Sequence, residues 1–127
     1  MRLTKTTSHA IRILVDCAEA DGSLVKTANI SKRLGITPLN VFKIVHLLSR
    51  AGFVEALRGR NGGVKLARPA SSIRIGEVVR MMESTAVEVE SGKTSGAEPR
   101  LNTIFDDALE AFIGVLDQHS LSDMAKR

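Results

Sequence analysis

At 127 residues the chain has room for one domain with an added arm, and not for a working core plus a large cleft. It has no Trp or Tyr and four Phe, too few rings for a single-strand stacking platform; its one cysteine, Cys17, excludes an intramolecular disulfide and a cysteine-only metal cage within one chain. The net charge of +4 is unevenly spread: residues 1–70 carry 12 Lys and Arg against 4 acids, residues 71–127 carry 6 against 10, so the first half suits a polyanion.

The opening Met-Arg-Leu-Thr-Lys-Thr-Thr has no apolar signal core, and no apolar run approaches membrane-spanning length. A cytoplasmic protein with no membrane partner is expected. Thr6, Thr7 or Ser8 can cap a first helix. In it Ile11, Leu14, Val15 and Ala18 fall at the spacing of one helical stripe. Asp21-Gly22-Ser23 ends that helix. Thr27 can cap a short second one, with Ile30 and Leu34 inward and Lys32 and Arg33 outward. Gly35 stops it, because glycine adopts a left-handed backbone without strain.

Thr37-Pro38 starts a third helix. The threonine hydroxyl accepts from the amides of the next turn, and proline at the first helical position gives up a donor that had no partner. The helix runs to about Ala51-Gly52. Val41, Ile44, Val45 and Leu48 face inward; Leu39, Lys43, His46 and Arg50 face outward, with Asn40 flanking near the start. Two helices across a tight glycine-containing turn match a helix-turn-helix, whose second helix enters the major groove.

Phe53–Leu57 and Val64–Leu66 read as two short strands. Between them Arg58-Gly59-Arg60-Asn61-Gly62-Gly63 makes a slim, basic hairpin tip. Arginine is favoured in a narrow minor groove, where the potential is more negative. Pro69-Ala70-Ser71-Ser72 is a linker. Ile75, Val78, Val79 and Met82 mark a fourth helix, and residues 84–100, aperiodic and rich in Ser, Gly and Glu, read as a mobile loop.

The longest amphipathic helix runs from about Leu101 to Leu116. Leu101, Ile104, Phe105, Ala108, Leu109, Phe112, Ile113, Val115 and Leu116 make a stripe too wide for one contact surface. One side can pack on the chain itself; the other needs a partner, most commonly a second copy. The residues expected at that dimer interface are Leu101, Ile104, Phe105, Ala108, Phe112 and Val115. Ser120-x-x-Asp123 resembles a capping box for a last short turn.

These elements add up to a mainly α fold with a small β-hairpin wing: a winged helix-turn-helix followed by a long C-terminal dimerisation helix. Residues 1–73 form the expected DNA-binding domain, and 74–127 the linker helix, loop and dimerisation helix. His9, His46 and His119 lie far apart and have no metal-ligand spacing. Asp117, His119, Ser120 and Asp123 read as a helix terminus rather than a catalytic set. No G-x-S-x-G, H-E-x-x-H or phosphate-binding loop is present, so no enzyme and no metal site are expected.

Met-Arg-Leu-Thr, Ser49-Arg50-Ala51-Gly52-Phe53-Val54, Arg58 to Leu66, Pro69-Ala70-Ser71-Ser72-Ile73 and Ile75-Gly76-Glu77-Val78-Val79, in that order, resemble the Rrf-type (BadM-like) bacterial transcription regulators. That family includes the iron–sulfur-assembly, nitric-oxide-sensing, rhizobial iron-responsive and cysteine-metabolism regulators, and the first seventy residues look most like the rhizobial iron regulator. The resemblance implies a homodimeric repressor on double-stranded DNA with a palindromic operator. It places the helix from Pro38 in the major groove and the Arg58–Lys65 wing in the minor groove. Thr37, Leu39, Asn40 and Lys43, with Arg58, Arg60, Asn61 and Lys65 of the wing, become the candidate DNA contacts. Asn40 suits a bidentate contact to adenine and Lys43 a phosphate. Leu39 has two roles open, a turn contact with the second helix or a DNA contact.

One departure stands out. The family's sensors hold an iron–sulfur cluster on three closely spaced cysteines between the fourth helix and the dimer helix. Here Val87–Pro99 has none; Glu88, Glu90 and Glu98 are hard oxygen donors, and Ser8, near a further ligand of some members, is a poor one. No cluster is therefore expected. Cys17 reads as a buried structural thiol, with a thiol sensor as the alternative. The alternative function is a protein-interaction module that uses the 101–116 helix and keeps the winged domain as scaffold.

Overall fold

The computed structural model describes residues 3–90 and 99–125, with side chains described for 3–83 and 103–125. Helix α1 spans Lys5–Glu19, α2 Thr27–Leu34 and α3 Pro38–Arg50; strands β1, Val54–Leu57, and β2, Gly63–Leu66, follow. A 3-10 turn at Ala70–Ser72 leads to α4, Ile75–Glu90, then α5, Pro99–Leu116, and a short α6, Leu121–Met124. None of the described helices is long and apolar enough to cross a membrane.

Helix α1 begins earlier than its threonine-rich start suggests. Thr4, not Thr6, Thr7 or Ser8, is the cap: its hydroxyl accepts from the Thr7 amide at 3.2 Å. A contact distant in sequence fixes this choice. The Thr4 amide and hydroxyl both donate to Glu83 of α4 at 3.0 Å. Ile11 and Leu14 are buried as their spacing requires, but so are Ala10, Ile13 and Cys17, while Val15 and Ala18 are half-buried. The buried arc is wide because α2, α3, β2, α4 and α6 all pack on α1.

Thr27 is the first residue of α2 rather than its cap, and Lys26 at the cap position makes no side-chain cap bond. Gly35 closes α2 at φ 68°, its amide donating to Ser31 O at 2.9 Å. Ser31 Oγ then donates to Ile36 O at 2.5 Å and holds the turn into α3. There Thr37 Oγ1 accepts from the Asn40 amide at 3.3 Å, with Pro38 opening the helix.

The two strands pair antiparallel, Val54 opposite Leu66 and Leu57 opposite Gly63. Val25, just ahead of α2, bonds both ways to Val64 at 2.8 Å, so the wing is stitched to the start of the helix-turn-helix. Helix α4 runs to Glu90, into the stretch expected as a loop from residue 84. Thr85, Val87 and Val89 lower helix propensity by only a few tenths of a kcal/mol each, and no Gly or Pro interrupts before Gly92. Residues 91–98 of that expected loop lie outside the described residues.

Helix α5 returns along α4, held by the Arg80–Glu110 pair at 2.8 and 2.9 Å. The capping box at α6 is present, the Ser120 amide donating to Asp123 Oδ2 at 2.9 Å. Ile73, Val78, Val79, Met82, Ile113 and Leu121 join Ile13, Leu14, Ile30, Val41 and Leu48 in one buried cluster. Truncating any of these large side chains to alanine costs roughly 2–5 kcal/mol.

Candidate nucleic-acid interface

The interface is built on α3 and the wing. Val41, Ile44, Val45 and Leu48 are buried and fix the roll of α3. At 3.6 residues per turn this leaves Leu39, Phe42, Lys43, His46 and Arg50 outward, and all five are exposed. Leu39 is 61 % exposed, so most of its side chain faces solvent. The Thr37 hydroxyl serves the cap, and the Asn40 side chain stands free in solvent beside it. Phe42 is 67 % exposed, an aromatic ring that the inward stripe left unassigned. Its i+3 spacing from Leu39 was the signal for it.

The wing tip carries Arg58, Arg60 and Asn61, all exposed. Among the described residues no hydrogen bond or ion pair engages their side chains. Gly62 lets the tip fold back tightly, since a Cβ there would collide with the backbone of Leu57 and Arg58. Lys26 fixes the tip from outside the hairpin, its ammonium donating to the Arg60 carbonyl. Between the start of α2, α3 and the wing lies an open groove of about 510 Å³, lined by Lys26, Phe42, His46, Leu57 and Arg58 among others. Lys65 stands apart from the other wing candidates: it faces Glu55 across the strands at 3.8 Å.

The electrostatics are one-sided. From Gly22 to Gly76 the chain has ten Lys and Arg and a single acid, Glu55. Arg33 pairs with Asp16 of α1 at 2.7 Å and Arg68 with Glu77 of α4 at 2.6 Å. The Arg68 guanidinium, followed by the Arg74 amide, holds the Glu77 carboxyl below its usual range despite partial burial. Lys43, Arg50, Arg58 and Arg60 have no acidic partner among the described residues. Cations left unpaired on one face give it a standing positive potential.

A family model described as Rrf2, iron-dependent transcriptional regulator, matches residues 3–127. The chain belongs to the Rrf2 family. This Rrf2 protein is 39 % identical to Protein aau3 of Rhizobium meliloti over 99 % of its own length and 86 % of the relative's. Among solved structures it is similar to CymR, the global cysteine regulator of B. subtilis, with TM-score 0.76 and 23 % identity over 98 % of this chain and 96 % of that one. It is equally similar to T. potens IscR, at TM-score 0.76 and 23 % identity over 98 % and 85 %. S. aureus CymR in its oxidized form matches at TM-score 0.75 and 21 % identity over 100 % and 98 %. The fold is thus the winged helix-turn-helix of these regulators, and the Rrf2 protein is a transcriptional regulator rather than an enzyme.

Its residues do not fit a cysteine-ligated iron–sulfur cluster. Such clusters need thiolates. Cys17 is 1 % exposed, and burial, helped by Asp16 and opposed by Arg33, pushes its thiol up to about 12. The chain has no other cysteine, and among the described residues no group of three His, Cys, Asp or Glu can hold a metal ion.

The residues expected at a dimer interface divide. Ile104, Phe105 and Val115 are 61 %, 62 % and 58 % exposed, and Ala108 is exposed beside them. Phe112 is half-buried against the chain's own core, where Ile113 is fully buried. The side chain of Leu101 lies outside the described residues.

Proposed function

We propose that this Rrf2 protein is a homodimeric, sequence-specific repressor on a palindromic operator, working in the cytoplasm without an iron–sulfur cluster. One observation carries the reading. Four cations with no acidic partner among the described residues, Lys43 and Arg50 on the outward face of α3 and Arg58 and Arg60 on the wing tip, belong to two elements that line one open groove. That arrangement suits α3 in a major groove and the arginine tip in the adjoining minor groove. Asn40 is placed to read adenine, Lys43 and Arg50 to meet phosphate, and Arg58, Arg60 and Asn61 to enter the minor groove. Thr37 sets the start of α3 against the backbone, and Lys65 supports the wing through Glu55.

Residues 1–73 hold the DNA and residues 74–127 hold the second copy, through Ile104, Phe105, Ala108 and Val115. The half-sites should lie about 34 Å apart, one helical turn, to match a two-fold dimer.

The test is selection from a random duplex library, followed by titration of the enriched site at rising salt. Affinity should fall steeply with salt as bound counterions are displaced. Arg60→Ala should weaken binding by more than ~1 kcal/mol. A library that stays random, or an affinity indifferent to salt, sinks the proposal.

A further inference from the structure

Leu39 and Phe42 are large apolar side chains on a face otherwise made of Lys43, His46 and Arg50. Exposed hydrophobes scattered singly need no explanation. These two are one helical turn apart, near the leading end of α3, and no described element of the chain covers either. A second copy docking here by the same face would set this cationic patch against an identical cationic patch, because a two-fold interface is isologous. The surrounding cations instead favour a polyanion that offers an apolar feature at the height of the helix face.

We infer that Leu39 and Phe42 read thymine, by pressing on the 5-methyl groups of thymines at neighbouring base pairs in the major groove. This rests on the DNA-binding reading above and names what α3 selects. In the major groove only thymine presents a methyl group; the other base edges present donors and acceptors alone. An apolar side chain pressed on those edges would strip their water and return no hydrogen bond, which is costly. Residues i and i+3 of a helix are about 4.5 Å apart along its axis. That is close to the ~3.4 Å separation of successive bases along a strand, so the two side chains meet adjacent or near-adjacent pairs. Leu39 leads, and Phe42 follows on the side of the groove toward the wing.

The test replaces each thymine of the selected operator by deoxyuridine, which removes the methyl and keeps base pairing. Wild-type protein should bind about fourfold more weakly per half-site at one or two positions, the worth of one buried methyl. Phe42→Ala should lose that sensitivity at one position and Leu39→Ala at its neighbour, with thermal midpoints unchanged because both residues are exposed. If Phe42→Ala binds too weakly to titrate, Phe42→Leu should retain the deoxyuridine penalty and Phe42→Gln, which keeps a long side chain but not its apolar tip, should lose it.

An enriched operator that tolerates every deoxyuridine overturns the inference and leaves the DNA-binding reading intact. So does a penalty that survives in both alanine variants. A library in which nothing is enriched sinks that reading, and the inference with it.

Discussion

Two faces of this molecule leave large apolar side chains in solvent, and the placing of charge tells them apart. On α3, Lys43 and Arg50 stand in the same outward sector as Leu39 and Phe42. On α5, the acids Asp106 and Glu110 fall on the side away from Ile104, Ala108 and Val115, Asp107 flanks the stripe beside Ile104, and no Lys or Arg occurs from Leu101 to Ala125. The α5 stripe is therefore dry along its centre, while the α3 face mixes charge with hydrocarbon. A dry stripe suits another dry stripe; a mixed cationic face suits a duplex, with phosphates at its rim and methyls in its groove. Apolar side chains grouped on one exposed face point to a partner, and the charge among them points to its kind.

The heaviest way to break this comparison is to put charge into the α5 stripe. Ile104→Glu with Phe105→Glu should convert a dimer into a monomer by sedimentation. Both positions are exposed, so the helical signal of the chain should persist. Operator affinity should fall on the order of a hundredfold, because two linked half-site contacts become separate events. A double variant that stays dimeric would move the interface elsewhere.

A smaller effect sharpens the α3 side without touching α5. Lys26 holds the wing tip by its bond to the Arg60 carbonyl. Lys26→Met should weaken operator binding by roughly fivefold, about 1 kcal/mol, the net worth of a typical hydrogen bond. Lys32→Met, which removes the same charge from α2 without loosening the wing, is the control. Amide exchange at Gly62, whose N–H donates to Gly59 O at 3.0 Å, should quicken in Lys26→Met only. Equal losses from both variants would reduce Lys26 to one more positive charge.

Lys26 also shows where reading the sequence stops. Signals confined to a few residues were legible: the Thr37–Pro38 start, the Gly35 stop, the strand pair around the glycine tip, and the capping box at Ser120. Each is settled by chemistry within one turn of chain. What was hidden depends on contacts distant in sequence. Thr4 caps α1 because Glu83 comes to meet it, and the wing stands where it does because Val25 pairs with Val64. Residues 84–90 looked like loop from composition, yet α4 continues through them. Phe42 was missed for another reason. The helical period places it outward, but an aromatic ring is expected inward, and a site that uses apolar contact to select a base reverses that expectation.

The smallest effect concerns the core that joins the two faces, where Cys17 is the one group able to respond to oxidants as a thiol. Its burial in the core between α1 and the elements packed on it, followed by the nearby Asp16, raises the thiol from the ordinary 9.0 to about 12. The sign follows directly. The reactive form is the thiolate, and for this group it becomes abundant only as pH approaches about 12, whereas an ordinary thiol is partly ionised near pH 8. Native protein at pH 8 should therefore label with a thiol reagent far more slowly than the denatured chain, and brief peroxide treatment should leave operator affinity unchanged. Stoichiometric labelling of the folded protein within minutes would show that the core opens at Cys17. A redox signal would then have a path from the interior to both faces, and the two could no longer be treated as surfaces on an inert support.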